Sequence, residues 1–189
     1  MDVLDAQHRR LAELFEDVSR PGEDRPAVLH NLLKELAAHV AAERAEVEPV
    51  VKRRSIGGDD LAGELLGDYS RIENLMVLIE RRKFNSPDIP DLVTDLKDAV
   101  HEHITRSERA LLPGLDTTLS VEERAELGEK VTAADTMVTT HPHPHLLSLR
   151  GISARITALL ARFDWARDKT VTNLPAASDD GDPSMGGAT

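Results

Sequence analysis

Four apolar stripes of helical period, separated by short breaks, constrain this chain more than any other feature. The first, Val3-Leu4, Leu11, Leu14-Phe15 and Val18, stops before Pro21-Gly22. The second runs from near Asp24 to about Arg54, with Val28, Leu29, Leu32, Leu33, Leu36, Val40 and Val47 on its apolar side. Pro49 is expected to end or kink it, because proline removes an N–H and its ring clashes with the preceding turn. Gly57-Gly58 breaks the chain before the third stripe, Leu61 to about Phe84, and Asn85-Ser86-Pro87 closes that one. The fourth, Asp91 to about Leu112, ends at Pro113-Gly114. A stripe repeating every three or four residues must bury one face of a helix, and short connections make successive helices antiparallel. The predicted fold is all-α, an up-down-up-down four-helix bundle with a C-terminal helical extension.

The extension begins at Ser120-Val-Glu-Glu123, a capping-box pattern for a fifth helix that fades near Thr139-Thr140. His141-Pro-His-Pro-His145 is held extended by its prolines, and Leu146 to about Asp168 reads as a sixth helix. The spacing therefore predicts a bundle over 1–115, a helical extension over 116–169 and a disordered tail over 170–189, where Gly, Ser and Asp dominate.

Composition excludes several function classes. The formal net charge of −11 opposes binding to nucleic acid or to an anionic membrane. No apolar run approaches the ~20 residues of a membrane span, and no signal-peptide pattern opens the chain, so a cytoplasmic protein is expected. With no cysteine, disulfides, iron–sulfur clusters and thiolate zinc sites are all excluded.

What remains is histidine and carboxylate chemistry. His39 and Glu43 are four residues apart, which returns both to one helix face. His8 lies on the first helix, Tyr69 and Glu73 on the third, and His103 with Glu108 on the fourth. Height along the bundle tests whether they meet. About 11 residues separate Glu43 from its helix end and about 10 separate Asp59 from Tyr69; about 15 lie on each side of the next turn, to Tyr69 and to His103. The three antiparallel helices therefore bring these residues to one level. Imidazoles and carboxylates without thiolates suit iron, manganese or zinc.

His8, His39-x-x-x-Glu43, the Tyr69-x-x-x-Glu73 element and His103 with Glu108 resemble the hemerythrin family, specifically its bacterial HHE cation-binding domains. The likeness covers Met1 to about Leu115 in order and spacing. It includes the phrases Asp5-Ala-Gln-His8-Arg-Arg-Leu11 and Ala42-Glu43-Arg-Ala-Glu46-Val-Glu48-Pro49. The segment through His145 is similar to extensions on actinobacterial members. The resemblance implies two non-haem iron ions joined by an oxo or hydroxo bridge, held by His8, His39, Glu43, His103 and Glu108, with Glu43 and Glu108 as bridges. Manganese or zinc would suit the same donors.

Two positions depart from the family pattern. Tyr69 stands where the family has histidine, with Glu73 four residues on. As a phenolate ligand, Tyr69 would favour ferric iron; as an unbound phenol it would serve as a catalytic proton donor. After His103, the i+4 position is Ser107, so the carboxylate must come from Glu108 at i+5. His30 and His101 fall on other helix faces, and Glu46, Glu48 and Glu102 read as surface charges. The His141–His145 run reads as a strap for the last helix rather than a second metal site. The expected function is reaction with a small diatomic or peroxidic ligand (O2, peroxide or NO), extending to catalase- or peroxidase-like turnover. The alternative is a non-catalytic oxygen or iron sensor or an iron-binding module.

Overall fold

A computed structural model describes residues 2–20, 25–58, 60–82 and 86–140. Helix α1 (Asp2–Ser19) and α2 (Arg25–Ala42) form the first hairpin; α4 (Leu61–Glu80) and α5 (Ile89–Arg106) form the second. Short helices α3 (Glu48–Arg54) and α6 (Leu112–Thr118) prolong α2 and α5, and α7 (Val121–Thr140) packs along α2 and α1. The described residues form an all-helical bundle. The expected sixth helix, the His141–His145 strap and the tail lie outside them.

The apolar stripes become one core. Leu4, Leu11, Leu14 and Phe15 of α1 meet Leu32, Leu33 and Leu36 of α2, while α4 adds Leu65, Ile72 and Met76 and α5 adds Leu96 and Val100. Each such side chain removed from water contributes roughly 1.5–3 kcal/mol before entropy is counted. Lys97 of α5 reaches Glu16 of α1 at 2.8 Å across the bundle surface. Leu127, Val131 and Ala134 of α7 are buried too, so this helix belongs to the packed body.

At Pro49 the helix continues, through a widened turn into α3. Residues Glu43–Val47 form a π-helical turn, and the N–H of Glu48 reaches back five residues to the Glu43 carbonyl. The same device recurs at Ser107–Leu111, where the N–H of Leu112 reaches the Ser107 carbonyl. In both places proline follows as the sixth residue after the turn begins, at Pro49 and Pro113. Its ring crowds the carbonyl four residues back and offers it no N–H, and a widened turn relieves both problems. The chain continues as α3 until Ser55, which adopts a left-handed conformation (φ 48°), followed by Gly57 and Gly58 at positive φ. A methyl on Gly57 would meet Leu61 Cδ2 at 2.4 Å. The start of α7 is reciprocally capped: Glu123 N–H donates to Ser120 Oγ at 3.2 Å, and Ser120 N–H donates to the Glu123 carboxylate at 2.9 Å.

Candidate metal centre

Three helices each deliver one imidazole to the bundle interior: His8 from α1, His39 from α2 and His103 from α5. The rings stand edge to face, with centroids 5.0 Å apart for His8–His39 and 5.6 Å apart for His8–His103 and His39–His103. Glu43, the first residue of the π turn, projects its carboxylate among them. Its Oε1 lies 3.8 Å from His8 Nε2 and 3.9 Å from His39 Nε2, and its Oε2 lies 3.2 Å from His103 Nε2. One donor atom from each of the four residues falls within 4.8 Å of all the others, and every residue is buried.

Buried polar atoms normally find hydrogen-bond partners. Here both ring nitrogens of His8 have none, and the Glu43 oxygens have only the long contacts just given. A cation among them would satisfy that set.

The electrostatics follow from burial and from this crowding. Burial drives His39 down to about 3, against the pull of Glu43, so its ring is neutral. Burial likewise lowers His8. For His103, burial also lowers, but the charge of Glu43 and its hydrogen bond, with Asp68 behind, raise the pKa above the usual value. Burial opposes ionisation of Glu43, yet the surrounding histidines, His103 first, hold its carboxyl below the ordinary carboxylate range.

The other predicted site residues are placed differently. Tyr69 is fully buried on α4, with its ring centroid 5.6 Å from that of His103 and the Arg44 guanidinium 5.4 Å above its face. Burial, then the neighbouring Glu43 carboxylate, push its phenol well above the usual range. Glu73 is buried four residues further along α4, and Arg44 Nη2 lies 2.8 Å from its Oε1, so it is outside the four-donor group. Glu108 is exposed on the second π turn, where it acts on His8 through its charge. Ser107, one residue before it, is the buried member, with its hydroxyl lacking a partner.

His30 and His101 stand outside the cluster, the second of them exposed. Glu102 is a surface charge paired with Arg71 at 2.5 Å, as expected. Glu48 differs from its expected surface role: it is buried and paired with Lys52.

Four residues around the centre went unnoticed in the sequence. Asp68 Oδ2 lies 3.9 Å from His103 Nδ1 and is held by Arg106 Nε at 2.8 Å. Gln7 Oε1 lies 3.1 Å from His39 Nδ1. Arg44 covers Tyr69, and Asp135 approaches from α7. Asp68 and Arg44 adjoin Tyr69 and Glu43 in sequence, which is a weak signal. The contacts of Gln7 and Asp135 cross helices and leave no local pattern.

Comparison with known proteins bears on the family and the fold. The sequence model of the hemerythrin HHE cation binding domain matches residues 1–115. A solved hemerythrin HHE cation binding domain-containing protein from Mycobacterium kansasii superimposes with a TM-score of 0.65 at 20% identity, covering 84% of this chain and 96% of that one. An uncharacterised hemerythrin-like protein of Schizosaccharomyces pombe is 22% identical over 147 residues, 76% of this chain and 72% of its own. A DNA nickase of Nostoc is 25% identical over 139 residues, 72% of this chain. The chain spans about two fifths of that relative's length, 39%. Residues 1–115 carry the match, and with it the chain belongs to the hemerythrin HHE cation-binding domain family.

Proposed function

We propose that this chain is a non-haem iron protein that reacts with O2, peroxide or NO, with peroxide turnover as its enzymatic form. The observation that carries the reading is the buried group of three imidazoles and one carboxylate with orphaned donor atoms. His8, His39, His103 and Glu43 would hold one ion. Glu73 and Glu108 would complete a second position, with Glu73 exchanging its Arg44 partner for the metal and the Tyr69 phenol standing beside it unbound. Bound iron supplies reversible electron transfer and an open position for a small ligand.

The residues of the chain do the rest. Glu43 carries the negative charge that a cation needs in a dry interior, where an unpaired ion is costly. The surrounding Leu and Ile side chains exclude water. Tyr69 holds a proton at its hydroxyl beside Glu43 and serves as the donor to the reacting ligand. In iron-loaded protein the Tyr69→Phe variant is expected to keep the visible spectrum and to slow peroxide consumption by about 100-fold. Loss of a phenolate-to-iron band in that variant would make Tyr69 a ligand instead. About two iron ions per chain are expected; one would contradict the second position.

A sensor or iron-binding module is the second reading, favoured by the packing of α7 against α1 and α2 beside the site. It predicts different protease cleavage of α7 in apo and iron-loaded protein, and identical cleavage would reject it. The net charge of −11 opposes a phosphate-binding surface, so the nicking activity named for the Nostoc relative is not carried over. The cytoplasm is the proposed location.

A further inference from the structure

Asp135 lies on α7, outside the residues that match the family, yet it stands one side chain away from the donor cluster. A half-open pocket of about 270 Å³ lies between α7 and the α1–α2 hairpin, with Gln7, Arg10, Glu35, His39, Thr132 and Asp135 among its lining. Gln7 spans it. Its Oε1 lies 3.1 Å from His39 Nδ1, and its side chain also hydrogen-bonds Asp135.

An amide has one donating end and one accepting end, and a carboxylate only accepts. The orientation of Gln7 is therefore set by its far partner. Its NH2 must face Asp135, so its Oε1 must face His39, and His39 must carry its proton on Nδ1 to donate. We propose that Asp135 and Gln7 form a polarity relay that fixes the tautomer of His39 and keeps its Nε2 lone pair directed into the metal site.

The inner half of the chain agrees in sense. His39 Nε2 lies 3.4 Å from His103 Nε2, and two facing nitrogens require one donor and one acceptor. With Nδ1 protonated on His39, His103 is the donor. Its Nε2–H is also 3.2 Å from Glu43 Oε2, where only an acceptor can stand. Reversing Gln7 would place an NH2 against His39 Nδ1, move the ring proton to Nε2 and block the nitrogen that a metal needs. Partners on the distal nitrogen of a metal-binding histidine set its tautomer and basicity. Gln7 and Asp135 are positioning residues in this sense, and α7 thereby contributes to the centre without touching it.

The inference rests on the reading of the cluster as a metal site only for its effect on affinity. Its test begins with metal-free, full-length protein carrying 15N-labelled histidine, in which long-range proton–nitrogen correlations identify the protonated nitrogen at neutral pH. The His39 signals are assigned by their loss in His39→Gln. Wild-type protein is expected to show a protonated Nδ1 and a free Nε2; the opposite pattern, or an even mixture, overturns the relay.

Asp135→Asn presents a donor as well as an acceptor, no longer fixes the orientation of Gln7 and is expected to give a mixture of tautomers. Asp135→Leu removes the acceptor and is expected to give a mixture and to weaken zinc binding, read by chelator competition, by about 10-fold. A single unchanged tautomer in folded Asp135→Leu would also overturn the relay. Should that variant not fold, the wild-type and Asp135→Asn measurements decide. Wild-type protein with the expected tautomer that binds neither zinc nor iron would sink the metal reading and leave the relay standing.

Discussion

His103 Nε2 stands 3.2 Å from Glu43 Oε2 in the bundle interior, an ion pair formed where a metal would otherwise hold both groups. Glu43 is depressed and His103 is raised, which favours a proton on His103 in the metal-free protein. Metal must displace it. Binding is therefore expected to release protons, with apparent affinity falling as pH falls. Calorimetry in two buffers of different ionisation enthalpy measures this; equal heats in both would contradict it.

Stability of the metal-free protein should depend on pH in two opposed ways. His8 and His39 are lowered from 6.5, His39 to about 3, so the unfolded chain takes up protons first and stability falls as pH drops below 6.5. Glu43 adds to this loss below its unfolded value of 4.5. His103 is raised, so its contribution is complete below 6.5 and fades as pH rises through its folded value. Thermal melts in the presence of chelator are expected to peak near neutrality, and His39→Leu should flatten the acid limb. An acid limb that is unchanged in that variant contradicts the assignment.

Arg44 neutralises Glu73 at 2.8 Å and covers the Tyr69 ring, with little of its side chain exposed. Arg44→Met strips the cation from a buried carboxylate and is expected to cost the metal-free protein about 3 kcal/mol in denaturant unfolding. A loss under about 1 kcal/mol, the scale of an exposed pair, would show that the interaction is effectively solvated.

Gly114 lies in α6, where alanine would ordinarily help a helix. A methyl there would meet Ile56 Cγ2 at 2.4 Å, and Ile56 is buried. Gly114→Ala is therefore expected to destabilise by about 1–3 kcal/mol through overpacking. Stabilisation instead would mean that the α3–α4 turn yields to α6.

The periodic stripes made the helices readable because each must bury one face. His39/Glu43 was readable because one turn of helix puts both residues on the same side. The second π turn was not. Helical spacing puts Ser107, at i+4 from His103, inward, while the resemblance pointed to Glu108, which the structure leaves exposed. Pro49 and Pro113 each carried a local signal of disturbance, but choosing between a kink and a widened turn depends on the packing around it. Glu73 was read from its place one turn after Tyr69, and its Arg44 partner comes from another helix. Gln7 and Asp135 are distant in sequence and meet only because α7 lies along α1 and α2.

Metal analysis of the purified protein tests the central claim most directly. Protein expressed with iron and passed through a mild chelator is expected to retain about two iron ions per chain. Glu43→Ala, folded to the same helical content, is expected to retain almost none. Wild-type protein that retains no metal, or a Glu43→Ala protein that retains as much as wild type, would contradict the assignment of His8, His39, Glu43 and His103 as a metal centre.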